Sequence, residues 1–110
     1  MVSEHMVSFS SANWADEVER SSVPVLVDVG ANWCPPCRML APIVAQLAGE
    51  YQGVMKVGTL DADAEPDIAA QYGVLGLPTL LFFKGGRLVD RIAGFTPKPE
   101  LKKRIDAIVG

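Results

Sequence analysis

Residues 23–29 read Val-Pro-Val-Leu-Val-Asp-Val. Valines at 23, 25, 27 and 29 share one face of an extended chain, and Leu26 lies on the other. A strand that is apolar on both faces must be covered on both sides. It therefore belongs in the interior of a sheet that carries helices above and below. Asp28 interrupts the pattern. It shares a face with Leu26, so a carboxyl is expected in the interior. Six residues beyond it stands Cys34, the first of the chain's only two cysteines, in Cys34-Pro35-Pro36-Cys37.

The rest of the chain alternates between the two periodicities. Met6 to Phe9 suits a short strand. From Ser11 to Arg20, Trp14 and Val18 lie four apart with Asp16 and Glu17 early, which predicts a short helix. A long helix is expected over 34–52, where Leu40, Ile43, Val44, Leu47 and Tyr51 form an apolar stripe and Gly53 can end it. Pro42 falls inside and should bend it. Val54 to Leu60 is a strand. Asp63 is placed to cap a short helix with Pro66 in its first turn and Gly73 at its end. Pro78 to Phe83 and Arg87 to Ala93 are strands joined by a Gly85-Gly86 hairpin. Thr96-Pro97 opens a last helix, with Leu101, Ile105, Ile108 and Val109 inward.

The order is β-α-β-α-β-α-β-β-α. Strands separated by helices are expected to pair in parallel, and the Gly-Gly hairpin is antiparallel. The fold class is α/β: a mixed sheet of about five strands flanked by about four helices. At 110 residues the chain suits one domain over 1–110, with 1–6 as an N-terminal extension. With 49% hydrophobic and 21% charged residues it can build a core. The net charge of −3 does not favour nucleic acid, and Lys98, Lys102, Lys103 and Arg104 read as the wet face of the last helix. The opening lacks a basic segment followed by an apolar one, so no secretory leader is expected. The most apolar window is broken by Gly76 and Pro78, so no membrane contact is expected, and the cytoplasm is the expected compartment. There a CxxC pair points to redox or metal chemistry.

Cys34 sits where strand meets helix. Its sulfur would face backbone N–H groups and the positive end of the helix dipole, and Arg38 adds positive charge. Its pKa should fall. Cys37, one turn inside, should be the more sheltered. Cys34 is then the attacking thiol and Cys37 the one that resolves the mixed disulfide. Zinc would need more ligands than two cysteines and His5, itself expected to be uncommitted, supply. A purely structural disulfide closing so short a loop contributes only about 2 kcal/mol. Two inert buried cysteines remain an alternative.

Trp33-Cys34-Pro35-Pro36-Cys37 after an Asp-bearing strand, Asp61 to Thr79 with its Gly-Leu-Pro-Thr ending, and Ala93-Gly94-Phe95 after the hairpin together resemble thioredoxin. The resemblance covers about Phe9 to Val109 and implies the thioredoxin fold. A lowered Cys34 pKa is then a family property and not an independent finding. The resemblance implies a thiol–disulfide oxidoreductase that reduces protein disulfides through Cys34 and Cys37. It binds no cofactor and takes electrons from NADPH through a separate flavoprotein reductase. The expected partners are disulfide-containing proteins and that thioredoxin reductase, and the expected state is a monomer. Pro78 matches the family's cis-proline. Trp33, Pro35, Leu77, Pro78 and Gly94 match the groove for the substrate peptide, whose backbone pairs like an added strand. Asp28 matches the buried aspartate that deprotonates the inner thiol, which agrees with the raised pKa that burial should cause. The rival is a structural aspartate that is chemically idle.

Three positions depart from the family pattern. Pro35-Pro36 stands for Gly-Pro, so Pro35 removes an N–H that could have faced Cys34, and Pro35, Pro36 and Arg38 are expected to tune the redox potential. Gly30 replaces a tryptophan, which puts recognition by a standard reductase in question. Thr59 replaces a lysine near the aspartate, which should raise the Asp28 pKa further. Alternative functions are a thiol oxidant or disulfide isomerase using the same site, and a non-catalytic peptide-binding subunit.

Overall fold

The computed structural model describes residues 5–110. Five strands, β1 (Met6–Phe9), β2 (Val25–Gly30), β3 (Lys56–Asp61), β4 (Thr79–Lys84) and β5 (Arg87–Ala93), form one sheet in the order β1-β3-β2-β4-β5. Helices α1 (Pro35–Glu50), α2 (Pro66–Gln71) and α3 (Lys98–Val109) complete the fold with a short helical turn at Ala15–Glu19. Residues 1–4 of the expected N-terminal extension lie outside the described residues. Met6 already belongs to β1, where it pairs with Val57.

β2 is the central strand, and its alternation decides the layers. Leu26 packs with Leu40, Val44 and Leu47 of α1 and Leu101 and Ile105 of α3. Val25, Val27 and Val29 pack on the opposite face with Trp14, Val18, Ile68 and Phe83. Consecutive Phe82 and Phe83 divide between the two faces for the same reason, and both are fully buried. Such burial stabilises the fold by roughly 1.5–3 kcal/mol per side chain.

Several elements differ from expectation. The first helix is one turn of wide, π-type winding, in which the Arg20 N–H donates to the Ala15 carbonyl. Trp14 and Val18 are buried as their spacing predicts, but a single turn suffices to place them. α1 runs through Pro42 and ends before Gly53, which takes up a positive φ of 83° in the turn that follows. Asp63 does not cap α2; the cap position is Glu65, which makes no side-chain capping bond. Lys98 and Lys102 pair with Glu50 of α1, and Arg104 with Asp90 of β5 at 2.7 Å. The basic face therefore fastens α3 to its neighbours, and the opposing charges it meets came from elements remote in sequence.

The most consequential difference is strand direction. β3 runs parallel to β1 and to β2, but β4 pairs antiparallel with β2 although a helix precedes it. Its register sets Thr79 opposite Val29. The start of β4 thus lies at the end of β2 that leads into Cys34. A parallel pairing would have left Pro78 at the far end of the strand, roughly 13 Å away.

Candidate active site

β2 delivers the chain to the start of α1. Ala31 to Cys34 form a turn, closed by the Cys34 N–H donating to the Ala31 carbonyl at 3.2 Å. Cys34 occupies the cap position of α1 with extended backbone angles, φ −93° and ψ 109°. Its Sγ accepts a hydrogen bond from the Cys37 N–H at 3.3 Å, as a capping side chain does. Pro35 and Pro36 fill the first two helical positions and bring no N–H. A cap side chain accepts from the second or third N–H of the helix. Pro36 occupies the second position, so the missing donor beside Cys34 is that of Pro36 more than that of Pro35. Cys34 and Cys37 are joined in a disulfide, with their Cα atoms 5.2 Å apart.

Both cysteines are buried, Cys37 at 8% and Cys34 at 3% of whole-residue exposure. A Cβ at Gly30 would stand 3.3 Å from Cys37 Sγ, so residue 30 lies against that sulfur. Leu77 packs over Ala31, Cys34 and Cys37.

Asp28 is 6% exposed, and its Oδ1 has no hydrogen-bond partner among the described residues. Burial pushes its pKa up to about 7. Thr59 is its neighbour on β3 and Leu80 its neighbour on β4. The Asp28 Oδ1 lies 4.0 Å from the point where a Gly30 Cβ would stand. The same missing side chain therefore borders both Asp28 and Cys37.

The Leu77–Pro78 peptide is cis, and Pro78 is buried. Its carbonyl accepts from the Gly94 N–H at 2.8 Å, which ties together two of the expected groove residues from separate loops. Trp33 is 65% exposed beside the disulfide turn. Its Nε1–H donates to Asp63 Oδ2 at 2.8 Å. Sequence reasoning missed this partner, because nothing in the pattern links residues thirty apart. Arg38, expected to add charge near Cys34, donates through its guanidinium to the Asn32 carbonyl at 2.8 Å and braces the turn.

A disulfide at the mouth of a helix, with a carboxyl behind it that can exchange a proton near neutrality, is equipped to pass electron pairs between dithiol and disulfide. This makes the molecule a thiol–disulfide oxidoreductase. Comparison with known proteins agrees. The thioredoxin family model matches residues 5–107. Thioredoxin 1 of Nostoc sp. is 44% identical over 97 residues, covering 88% of this chain and 91% of that protein. Thioredoxin of Synechocystis sp. is similar to the same extent. The chloroplastic M-type thioredoxin of Pisum sativum is 42% identical over 100 residues, covering 91% of this chain and 58% of that longer protein. The chain belongs to the thioredoxin family, and its activity is protein-disulfide reduction. No helix among the described residues is long and apolar enough to cross a membrane. Among them, too, no group of three or more histidine, cysteine or acidic side chains could hold a metal ion.

Proposed function

We propose that the whole chain works as one reductase domain and that Cys34 and Cys37 divide the labour. The reduced Cys34 thiolate attacks a substrate disulfide, forms a mixed disulfide and releases the first substrate thiol. Asp28 takes the proton from Cys37, whose thiolate attacks Cys34 Sγ. The Cys34–Cys37 disulfide forms and the second substrate thiol leaves. The observation that carries this order is the Cys37 N–H donating to Cys34 Sγ at 3.3 Å. A donor aimed at that sulfur stabilises its thiolate.

Trp33, Pro35, Leu77, Pro78 and Gly94 hold the substrate backbone alongside the disulfide, and Pro36 and Arg38 tune the couple. Substrates are disulfide-containing proteins. The cycle closes when a flavoprotein reductase passes electrons from NADPH, with no cofactor bound to this chain. A monomer in the cytoplasm suits that cycle, since a reducing compartment keeps the dithiol supplied.

The test is a pair of variants. Cys34→Ser abolishes reduction of a protein disulfide. Cys37→Ser accumulates the substrate as a stable mixed disulfide, which mass mapping locates on Cys34. Substrate trapped as a stable mixed disulfide on Cys37 in Cys34→Ser, with none on Cys34 in Cys37→Ser, would reverse the assignment. A partner retained after both substitutions would identify a peptide-binding subunit instead.

A further inference from the structure

Residues 73–78 link α2 to β4 and carry Leu77 over the disulfide. β5 and the residue just beyond it grip this segment at both ends. At one end the Arg91 guanidinium donates to the Gly73 carbonyl at 3.0 Å. At the other the Gly94 N–H donates to the Pro78 carbonyl at 2.8 Å. We propose that Arg91 is a positioning residue for substrate binding, which fixes the segment so that Leu75 and Leu77 meet a protein disulfide in one geometry. The proposal rests on the reading of Leu77, Pro78 and Gly94 as the substrate groove, and it names the side chain that sets the shape of that groove.

The segment pivots at Gly73, which leaves α2 with a φ of 68°. Glycine has the widest choice of backbone angles, so the pivot needs a second restraint. Both terminal nitrogens of Arg91 stand near the point where a Gly73 Cβ would be, at 3.4 and 3.8 Å. The guanidinium therefore covers the face that glycine leaves bare and holds the carbonyl that would swing. Val74 anchors the start of the segment to α2, its N–H donating to the Ala69 carbonyl at 3.0 Å, and Arg91 adds the polar tie to β5. The middle has less to hold it. Leu75 is fully exposed, and a Cβ on Gly76 would meet nothing beyond its chain neighbours within 4 Å. Thr79 Oγ1 donates to the Gly76 carbonyl at 2.6 Å, but that bond ties the segment to its own continuation.

Reduction of a protein disulfide brings a polypeptide against Cys34, on which Leu77 packs. That polypeptide meets the segment, and Leu75 stands two residues from Leu77 with its whole apolar side chain open to it. A segment already held in its bound shape loses less freedom when a substrate docks. Arg91 acts through Gly73 and not on the sulfurs. It should therefore govern how tightly a protein substrate binds and leave the thiol–disulfide exchange itself unchanged.

The experiment compares Arg91→Ala and Arg91→Lys with the wild-type full chain. Single-turnover oxidation of the reduced protein by excess insulin, followed by tryptophan fluorescence, gives a half-saturating concentration and a maximum rate. The same reaction with 2-hydroxyethyl disulfide, too small to span the segment, reports on the exchange alone. The expected result for Arg91→Ala is a half-saturating insulin concentration raised about two- to twelvefold, the range that one hydrogen bond supports. The maximum rate and the rate with the small disulfide stay at the wild-type values, and amide hydrogen exchange over Leu75–Leu77 quickens. Arg91→Lys, which keeps a donor without the fork, recovers part of the binding. An unchanged half-saturation in Arg91→Ala overturns the proposal, even where the denaturant midpoint falls, because Arg91 is then a structural bond only. Equal slowing with both disulfides overturns it too, as does a lysine variant no better than alanine. Leu77→Ala tests the groove by itself. An unchanged half-saturation there refutes the groove reading, whereas a raised value there beside an unchanged one in Arg91→Ala refutes the positioning role alone.

Discussion

The Cys37 N–H donates to the sulfur of Cys34, its own disulfide partner, at 3.3 Å. It is the first backbone donor in α1, because Pro35 and Pro36 have none. The helix start that activates Cys34 is therefore short of one available N–H, and the shortage can be reversed.

Pro36→Ala restores the second N–H of the helix, which a cap side chain can accept. A hydrogen bond to a charged group is worth about 1.5–3 kcal/mol net. It is stronger to the charged thiolate than to a disulfide sulfur, so it favours the dithiol state. For a two-electron couple, where about 1.4 kcal/mol corresponds to 30 mV, the potential rises by roughly 30–60 mV. Equilibration against a glutathione redox buffer measures the shift. An unchanged or lower potential would show that the new donor misses Cys34.

Asp28→Asn should raise stability at pH 7 and slow resolution. With its pKa at about 7, the folded carboxyl holds a proton that the unfolded chain has released above pH 3.8. The folded state binds more protons through that window, so stability falls as pH rises from 3.8 to about 7. At about 1.36 kcal/mol per unit the penalty has a ceiling on the order of 4 kcal/mol. The amide removes the ionisation, so the variant's advantage is largest at and above pH 7 and vanishes below the unfolded pKa. Denaturant midpoints across pH check this. In single-turnover reduction the variant accumulates mixed disulfide, and the pH dependence of resolution near neutrality flattens. Equal resolution together with lower stability would assign Asp28 a purely structural part.

Asp63→Ala should loosen Trp33. The indole is largely exposed, and its bond to Asp63 is the polar contact that orients it. An exposed hydrogen bond of about 1 kcal/mol corresponds to a several-fold change in equilibrium. KM for a protein disulfide should rise several-fold with kcat little changed, and Trp33 fluorescence should become more mobile. A kcat loss at constant KM would place Asp63 in the chemistry instead.

Gly58→Ala should strip β1 from the sheet. A Cβ there would press on the Val7 carbonyl oxygen and the Phe9 ring, and the carbonyl belongs to backbone paired with β3. Overpacking costs typically 1–3 kcal/mol, occasionally more, and here rigid backbone must move. Hydrogen exchange should lose protection over Met6–Phe9 first. Protection equal to the wild type would show that the strands can separate without cost.

The sequence by itself determined the layers and the chemistry. Period-two alternation in β2 demands cover on both faces, and Leu26 and Val27 go to opposite cores as that pattern requires. The Gly85-Gly86 turn, with φ of 62° and 79°, was legible because glycine takes up successive positive φ angles without steric cost. The cysteine spacing and the buried carboxyl were legible because each is a local departure from its surroundings. The tertiary structure decided how these pieces meet. Hydrophobic pattern carries no strand direction, so the antiparallel docking of β4, which carries Pro78 to Cys34, is absent from it. The Trp33–Asp63 bond and the close approach of Gly30 to Cys37 are likewise through-space facts. A glycine in sequence is an absent side chain. Only the packing around Gly30 shows that the space it leaves lies against Cys37 and Asp28.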